Sequence, residues 1–99
     1  MLGTRGRMRF TISHKRAFIG NDIYVKVEAD PSKPLAVVRT VLDDFELGND
    51  ALADGSNSYE RTFSGAGDAG SGIEHSLVVT AQQADGASHS STSMWTDPV

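Results

Sequence analysis

The sequence contains serine, histidine and aspartate, the three residue types of a hydrolase triad, so nucleophilic catalysis is the first chemistry to consider. A triad on an α/β scaffold places its serine in a G-x-S-x-G turn between a strand and a helix. The nearest string is AGSG at residues 69–72, which no helical pattern follows. We therefore predict no catalytic residue and no enzymatic activity.

Two histidines, His75 and His89, are the natural candidates for a metal site, because zinc requires ligands that converge. If Asp85 and Gly86 form a hairpin loop, the two rings point to opposite faces, and a shifted register leaves them several residues apart. We predict no metal site. We expect His75, which is in phase with Leu77, to be a hydrogen-bonded side chain at the rim of the core.

Acidic residues are concentrated in one stretch, and calcium prefers several oxygen ligands. Twelve residues contain five acids, which are Asp43, Asp44, Glu46, Asp50 and Asp54. Their spacing lacks the glycine and the terminal glutamate of an EF-hand. We interpret them as solvated turn residues and keep calcium-dependent carbohydrate binding as an alternative.

A glycine-rich segment, SGAGDAGSG at residues 64–72, lacks the Lys-Ser or Lys-Thr of a phosphate-binding loop, so we predict no cofactor. We expect a mobile loop, and loops of this kind often carry binding surfaces. Together with the irregular residues 48–57, it gives a candidate loop binding surface. Its members are Asp50, Asp54, Asn57, Asp68 and Ser71.

Composition and charge exclude several classes of protein. The chain of 99 residues has no cysteine, so it has neither a disulfide framework nor a thiol nucleophile. The net charge is -4, yet the first 16 residues carry five basic side chains and no acid. We interpret those cations as the solvent face of a strand and expect no nucleic-acid partner. No apolar run is long enough for a membrane span or a secretory signal.

Alternation of apolar and polar residues predicts a series of short strands. It is clearest at residues 22–30, where Ile23, Val25 and Val27 share one face. Strands are predicted at residues 7–13, 22–30, 35–43, 45–47, 58–63, 73–83 and 88–95. Residues 14–21 are a bend or a short edge segment, and residues 48–57 hold at most one helical turn.

Two details remain open from the sequence. Both faces of residues 35–43 are partly apolar, so the inward set is undecided. A two-residue loop at Asp85 and Gly86 places Leu77 opposite Met94, whereas one more loop residue places it opposite Trp95.

The second half of the chain resembles a bacterial immunoglobulin-like module or a fibronectin type III-like module. The resemblance rests on AVVRTVLDDFEL, SYERTF and GIEHSLVVTAQQADG. It implies an all-β chain, an immunoglobulin-like two-sheet antiparallel β-sandwich of about seven strands. We predict a flexible leader at residues 1–6 and one domain at residues 7–97.

The resemblance also implies a role and favours an extracellular, cell-surface or virion location. We expect a non-enzymatic binding or spacer module of a bacterial surface protein or phage particle, which contacts a protein or carbohydrate partner through loops at the ends of the sandwich. The alternative is a structural assembly protein that self-associates through strand edges, because edges offer unpaired backbone groups.

Overall fold

The computed structural model describes residues 8–67 and 72–96, and seven strands account for most of them. Their bounds are β1 Arg9–Arg16, β2 Asn21–Glu28, β3 Leu35–Leu42, β4 Phe45–Ala51, β5 Ser58–Ala66, β6 Glu74–Gln83 and β7 Ser88–Thr96. The predicted leader at residues 1–6 lies outside the described residues.

The strands form two antiparallel sheets that pack face to face as a β-sandwich. One sheet has three strands in the order β1-β2-β5, and the other has four in the order β4-β3-β6-β7. The neighbours β2 and β5, like β3 and β6, are distant along the chain, so the connections cross from one sheet to the other. The prediction of an all-β sandwich of about seven strands is confirmed, and the architecture is compatible with an immunoglobulin-like fold.

The core lies between the sheets and is built by strict alternation in the two central strands. On β2, Ile23, Val25 and Val27 are fully buried, and from the facing sheet Leu77 and Val79 are buried to the same extent. Burying a side chain of this size contributes about 1.5–3 kcal/mol relative to leaving it in water. This one apolar layer is therefore the main source of stability.

A β-bulge decides which face of β3 is buried. Leu35 pairs with Gln83 but Val37 already pairs with Gln82, so β3 holds one extra residue at Ala36. The bulge shifts the alternation, and Leu35 is followed on the buried face by Val38 rather than by Val37. A bulge reverses the facing of the residues after it. The buried residues before and after Ala36 therefore differ in parity, and in the sequence both faces of the strand were partly apolar.

Several predicted boundaries were wrong. β1 continues through Arg16, and β5 continues to Ala66, three residues into the predicted glycine-rich loop. β4 runs to Ala51, although residues 48–51 were predicted to be irregular. The extension of β4 results from pairing with β3, which accommodates a bulge where Thr40 pairs with Gly48 and Val41 with Glu46. No helical turn occurs in residues 48–57.

Both predicted registers of the β6–β7 hairpin were also wrong, because the additional loop residue is Ala84, before Asp85, and the loop comprises residues 84–86. Leu77 lies opposite Ser93. Gln83 N–H donates to Ala87 C=O, Gly86 N–H donates to Gln83 C=O, and Gly86 has a φ of 94°. A turn followed by a left-handed glycine uses one residue more than the two-residue hairpin turn.

The strand pairings place the connections at two opposite ends. Asn21 pairs with both Arg16 and Ala66, and Leu42 pairs with both Phe45 and Leu77. One end therefore contains the β1–β2 turn, the β3–β4 turn and the last residues of β5. The opposite end contains residues 29–34, 52–57 and 84–87. β1 starts at this second end, whereas β7 finishes at the first.

Candidate binding surface

The structure describes three of the five predicted loop residues. Asp50 lies within β4, whereas Asp54 and Asn57 are exposed in the connection between β4 and β5. Asp68 and Ser71 lie outside the described residues, so the five-residue surface stays a prediction.

Asp50 joins the two sheets instead of facing a ligand. The Tyr59 hydroxyl donates a 2.6 Å hydrogen bond to Asp50 Oδ2, and Arg61 Nη1 lies 3.0 Å and 2.8 Å from the two carboxylate oxygens. The Arg61 guanidinium also lies 4.4 Å from the centre of the Phe63 ring. Since β4 and β5 are edge strands of different sheets, this network closes one side of the sandwich.

The charges of this network perturb one another. The hydrogen bond from Tyr59, and then that from Arg61, lowers the pKa of Asp50. Burial, followed by the hydrogen bond to Asp50, raises the pKa of Tyr59 to about 12. The hydrogen bond to Asp50 raises the pKa of Arg61. At neutral pH, Asp50 is therefore ionised, Tyr59 is neutral and Arg61 is protonated, as these contacts require.

The acidic stretch does not converge on a cation position. Asp43 contacts His75, Glu46 contacts Arg39, and Asp50 contacts Arg61. Within residues 8–67 and 72–96, no group of three or more histidine, aspartate or glutamate side chains is close enough to hold a metal ion.

His75 fastens the β3–β4 turn to the start of β6. Its ring is 1% exposed, and Nδ1 lies 2.6 Å from Oδ2 of Asp43. Because an ionised carboxylate only accepts hydrogen bonds, Nδ1 carries the hydrogen. The other oxygen of Asp43 accepts the Ser76 N–H at 2.8 Å, and Asp43 N–H donates to Ser76 C=O at 2.9 Å. The expectation of a hydrogen-bonded histidine is confirmed, and the ring is more deeply buried than its predicted place at the core rim.

Trp95 closes the second side of the sandwich. Its ring is stacked on His14 of β1 at 4.2 Å between centroids, and it lies 5.5 Å from the ring of His75. The observed register places His89 opposite Ala81, on the same face as His75 and not on the opposite face. The two histidines are six positions apart along the ladder, about 20 Å, so they do not share a site.

Three large apolar side chains are displayed at the end that contains the β1–β2 and β3–β4 turns. Phe18 is 97% exposed, Ile19 72% and Phe45 76%. We call this surface, made by Phe18, Ile19 and Phe45, the apolar end. Phe18 and Ile19 are neighbours in the β1–β2 turn, and Phe45 follows the β3–β4 turn at the same end, so the apolar end is a candidate interaction site.

Short turns hold these side chains in place. Ala17 N–H donates to Gly20 C=O at 3.1 Å, which closes the β1–β2 turn around Phe18 and Ile19. Asp43 and Asp44 have φ values of 49° and 69°, as a two-residue hairpin turn requires, and Phe45 follows directly. The prediction of a turn at Asp43 and Asp44 is confirmed.

A depression of about 400 Å³ lies beside Phe45. Its lining residues are Leu42, Asp43, Phe45, Leu47 and Gly67. A Cβ atom at Gly67 would come within 2.8 Å of Leu42 Cδ2, so a larger residue there would have to displace the Leu42 side chain. Most of the wall is apolar, and the carboxylate of Asp43 is its acidic group.

Sequence reasoning missed the apolar end. Phe18 and Ile19 were assigned to an ambiguous bend, and Phe45 to a short strand. The available signal was an apolar pair between the basic Lys15 and Arg16 and the turn residues Gly20 and Asn21. Apolar residues inside a tight turn have few neighbours to bury them, which indicates exposure.

Comparison with protein-family profiles, with curated proteins and with solved structures gives no match to this chain. The described residues include no helix with the length and apolar character needed to cross a membrane.

Proposed function

We propose that this chain is a non-enzymatic binding module, of the kind found in bacterial surface proteins and phage particles, and that it contacts a protein partner through the apolar end. The observation that carries the proposal is the exposure of Phe18, Ile19 and Phe45 together at one end of the sandwich. Aromatic side chains supply much of the energy in protein interfaces.

The rigidity of the turns supports this function. The hydrogen bonds of Ala17 and Asp43 fix the turns before binding, so little conformational entropy is lost when a partner docks. The adjacent depression offers space for one apolar side chain of the partner. The His14–Trp95 stack ties β1, the strand that leads into the Phe18 turn, to the four-stranded sheet.

Selection of a displayed random-peptide library on the immobilised protein tests the proposal. The selected peptides should bind the Phe18→Ser and Phe45→Ser variants at least about tenfold more weakly, because each loses a large contact area. Phe18 is almost fully exposed, so its replacement should change the free energy of unfolding by less than about 0.5 kcal/mol.

The matched control is Asp54→Ser, which alters an exposed turn residue at the opposite end. It should leave peptide affinity unchanged. If Asp54→Ser abolishes binding and the phenylalanine variants do not, the partner surface is the loop at residues 52–57, and the proposal is wrong.

A further inference from the structure

The sequence contains the tripeptide Ala-Asp-Gly twice, at residues 53–55 and at residues 84–86. Aspartate followed by glycine is a pair in which the chain can react with itself, because glycine has no side chain to shield its backbone nitrogen from the neighbouring carboxyl group. Both glycines lie in turns between strands and have a positive φ, 84° at Gly55 and 94° at Gly86. The local sequence therefore gives the two pairs nearly equal intrinsic reactivity.

Hydrogen bonds restrain both reacting groups of the second pair. Gly86 N–H donates to Gln83 C=O at 2.9 Å, and Oδ1 of Asp85 accepts the Ala87 N–H at 2.9 Å. A third bond, from Gln83 N–H to Ala87 C=O, closes the same turn at 2.7 Å. The Gly86 nitrogen and the Asp85 carboxylate are thus each tied to a different partner.

The first pair lacks these restraints. Asp54 and Gly55 are exposed, and within the described residues neither the Asp54 carboxylate nor the Gly55 N–H makes a hydrogen bond. In that same part of the chain, the one hydrogen bond that closes this turn runs from Ser56 N–H to Ala53 C=O at 3.1 Å. The nitrogen and the carboxyl carbon are neighbours in the chain, so rotation of the Asp54 backbone is enough to bring them together.

The turn at residues 53–55 is anchored on both sides. Leu52 N–H donates to Ala36 C=O at 2.8 Å, and Leu35 N–H donates to Ser56 C=O at 2.7 Å. Leu52 also packs against the core. A change in backbone length between Leu52 and Ser56 is therefore confined to the turn, and the strands on either side keep their pairing.

We propose that Asp54 is a site of spontaneous isoaspartate formation, whereas the turn of Asp85 protects that residue. The backbone nitrogen of Gly55 attacks Cγ of Asp54. A bond between nitrogen and Cγ forms, the nitrogen loses its proton, and one carboxyl oxygen leaves as water, which gives a cyclic imide. Water then adds to one of the two carbonyl groups of the imide.

The carbonyl group that water attacks decides the product. Addition at the main-chain carbonyl of Asp54 breaks its bond to nitrogen, so the chain then runs through Cγ and the α-carboxylate is free. Addition at Cγ restores aspartate. The net conversion to isoaspartate neither gains nor loses atoms, and it inserts one CH₂ group into the backbone of the turn. This site lies at the end of the sandwich opposite the apolar end, and it does not depend on the function proposed there.

Ageing of the folded protein at neutral pH and physiological temperature tests the proposal. Trypsin cleaves after Arg39 and Arg61, so the two pairs fall in different peptides, residues 40–61 and 62–99. Enzymatic methylation of the α-carboxyl group of isoaspartate measures the product in each peptide, and fragmentation in the mass spectrometer assigns it to a residue. Isoaspartate should form at Asp54 at least about tenfold faster than at Asp85, because two hydrogen bonds must break before Asp85 reacts.

Two variants give a matched comparison in the intact protein. Asparagine forms the same imide with loss of ammonia, and hydrolysis then changes the mass of the chain, so the rate is measured without proteolysis. Asp54→Asn should convert at least about tenfold faster than Asp85→Asn. Asp54→Glu, which would have to close a larger ring, should end isoaspartate formation at this position.

Unfolding in urea is the control for the contribution of the structure. The two pairs should then react at nearly the same rate, since both follow alanine and neither is restrained. Equal rates at Asp54 and Asp85 in the folded protein, or a faster reaction at Asp85, would overturn the proposal. So would the absence of isoaspartate at Asp54 over a period in which the unfolded chain forms it.

Discussion

The hydroxyl of Tyr59 donates a 2.6 Å hydrogen bond to Asp50, across the boundary between the three-stranded and the four-stranded sheet. Tyr59 is 7% exposed, and its pKa is raised to about 12 from 10.0. The same contact lowers the pKa of Asp50. The folded state therefore depends on a neutral phenol and an ionised carboxyl at this position.

The raised pKa of Tyr59 predicts a loss of stability at alkaline pH. When the pKa of a group is higher in the folded state, its full contribution to the stability of the fold is present below the unfolded-state pKa, which is near 10 for Tyr59. The contribution is lost as the pH rises to the folded-state pKa of about 12. The expected loss is about 2–3 kcal/mol. Tyr59→Phe should remove this component of the pH dependence and cost about 1 kcal/mol at pH 7. Urea unfolding at several pH values measures both effects.

Tyr24→Phe is the control for that experiment. The Tyr24 hydroxyl bonds to Glu60 on the exposed face of the three-stranded sheet, where solvent weakens the contact. It should change the alkaline profile less than Tyr59→Phe does. Equal profiles for the two variants would contradict the assigned role of Tyr59.

At acidic pH, the lowered pKa of Asp50 has the opposite effect. The contribution of Asp50 to stability is present above the ordinary aspartate pKa and is lost as the pH falls through the pKa of the folded state.

Asp43→Ala should destabilise the protein by about 2–3 kcal/mol, because it leaves the buried His75 ring without its carboxylate and places alanine at a positive φ. Asp43→Asn should cost less, since asparagine tolerates this backbone conformation and its single carbonyl oxygen keeps one of the two hydrogen bonds. Chemical denaturation measures the costs. The His75 Nδ1 proton, observed by NMR, should lose its protection from exchange in Asp43→Ala. Equal costs for both variants would show that the carboxylate does not act through His75.

Gly20→Ala should be more destabilising than another glycine replacement at a positive φ. A Cβ at Gly20 would lie 2.6 Å from Gly65 O, whereas at Gly55 it would meet nothing within 4 Å. Gly55→Ala should cost about 1–2 kcal/mol from backbone strain alone, and Gly20→Ala should exceed that cost because the backbone of β5 must move. Thermal unfolding of the pair gives the difference. Similar costs would show that the β1–β2 turn can separate from β5.

Thr40→Val should stabilise the protein. Thr40 is fully buried in the core, and its hydroxyl has no hydrogen-bond partner. Burying an unpaired hydroxyl costs about 1–3 kcal/mol, and valine has nearly the same shape, so a gain of about 1 kcal/mol is expected. Thr62→Val, on the exposed face of β5, should change the free energy of unfolding by less than about 0.5 kcal/mol. A destabilised Thr40→Val variant would indicate that the hydroxyl is bonded in solution.

The sequence predicted those parts of the fold in which local pattern and tertiary structure agree. The alternation of Ile23, Val25 and Val27 predicted β2 and its buried face, and the Asp43–Asp44 pair predicted the turn between β3 and β4. Residues 48–51 were predicted to be irregular because glycine, asparagine and aspartate disfavour strands, yet pairing with β3 overrides that preference. The β6–β7 register depended on whether the additional loop residue lies before Asp85 or after Gly86, which alternation does not reveal.

The side-chain contacts could not be predicted, because the two partners of each contact lie far apart in the chain. Asp43 and His75 are 32 positions apart, and Asp50 and Arg61 are 11 apart and on different sheets. No spacing rule connects such pairs before the fold is known. Phe18 and Phe45 belong to separate turns, and only the pairing of Asn21 and Leu42 with their neighbours places those turns at one end.

The directions of β1 and β7 determine how the module responds to tension. β1 begins at one end of the sandwich and β7 finishes at the other, and they belong to different sheets. A pulling force applied to these two strands meets no backbone hydrogen bond that joins them directly. We therefore expect part of the load to pass through the apolar layer and the His14–Trp95 stack, which join the two sheets.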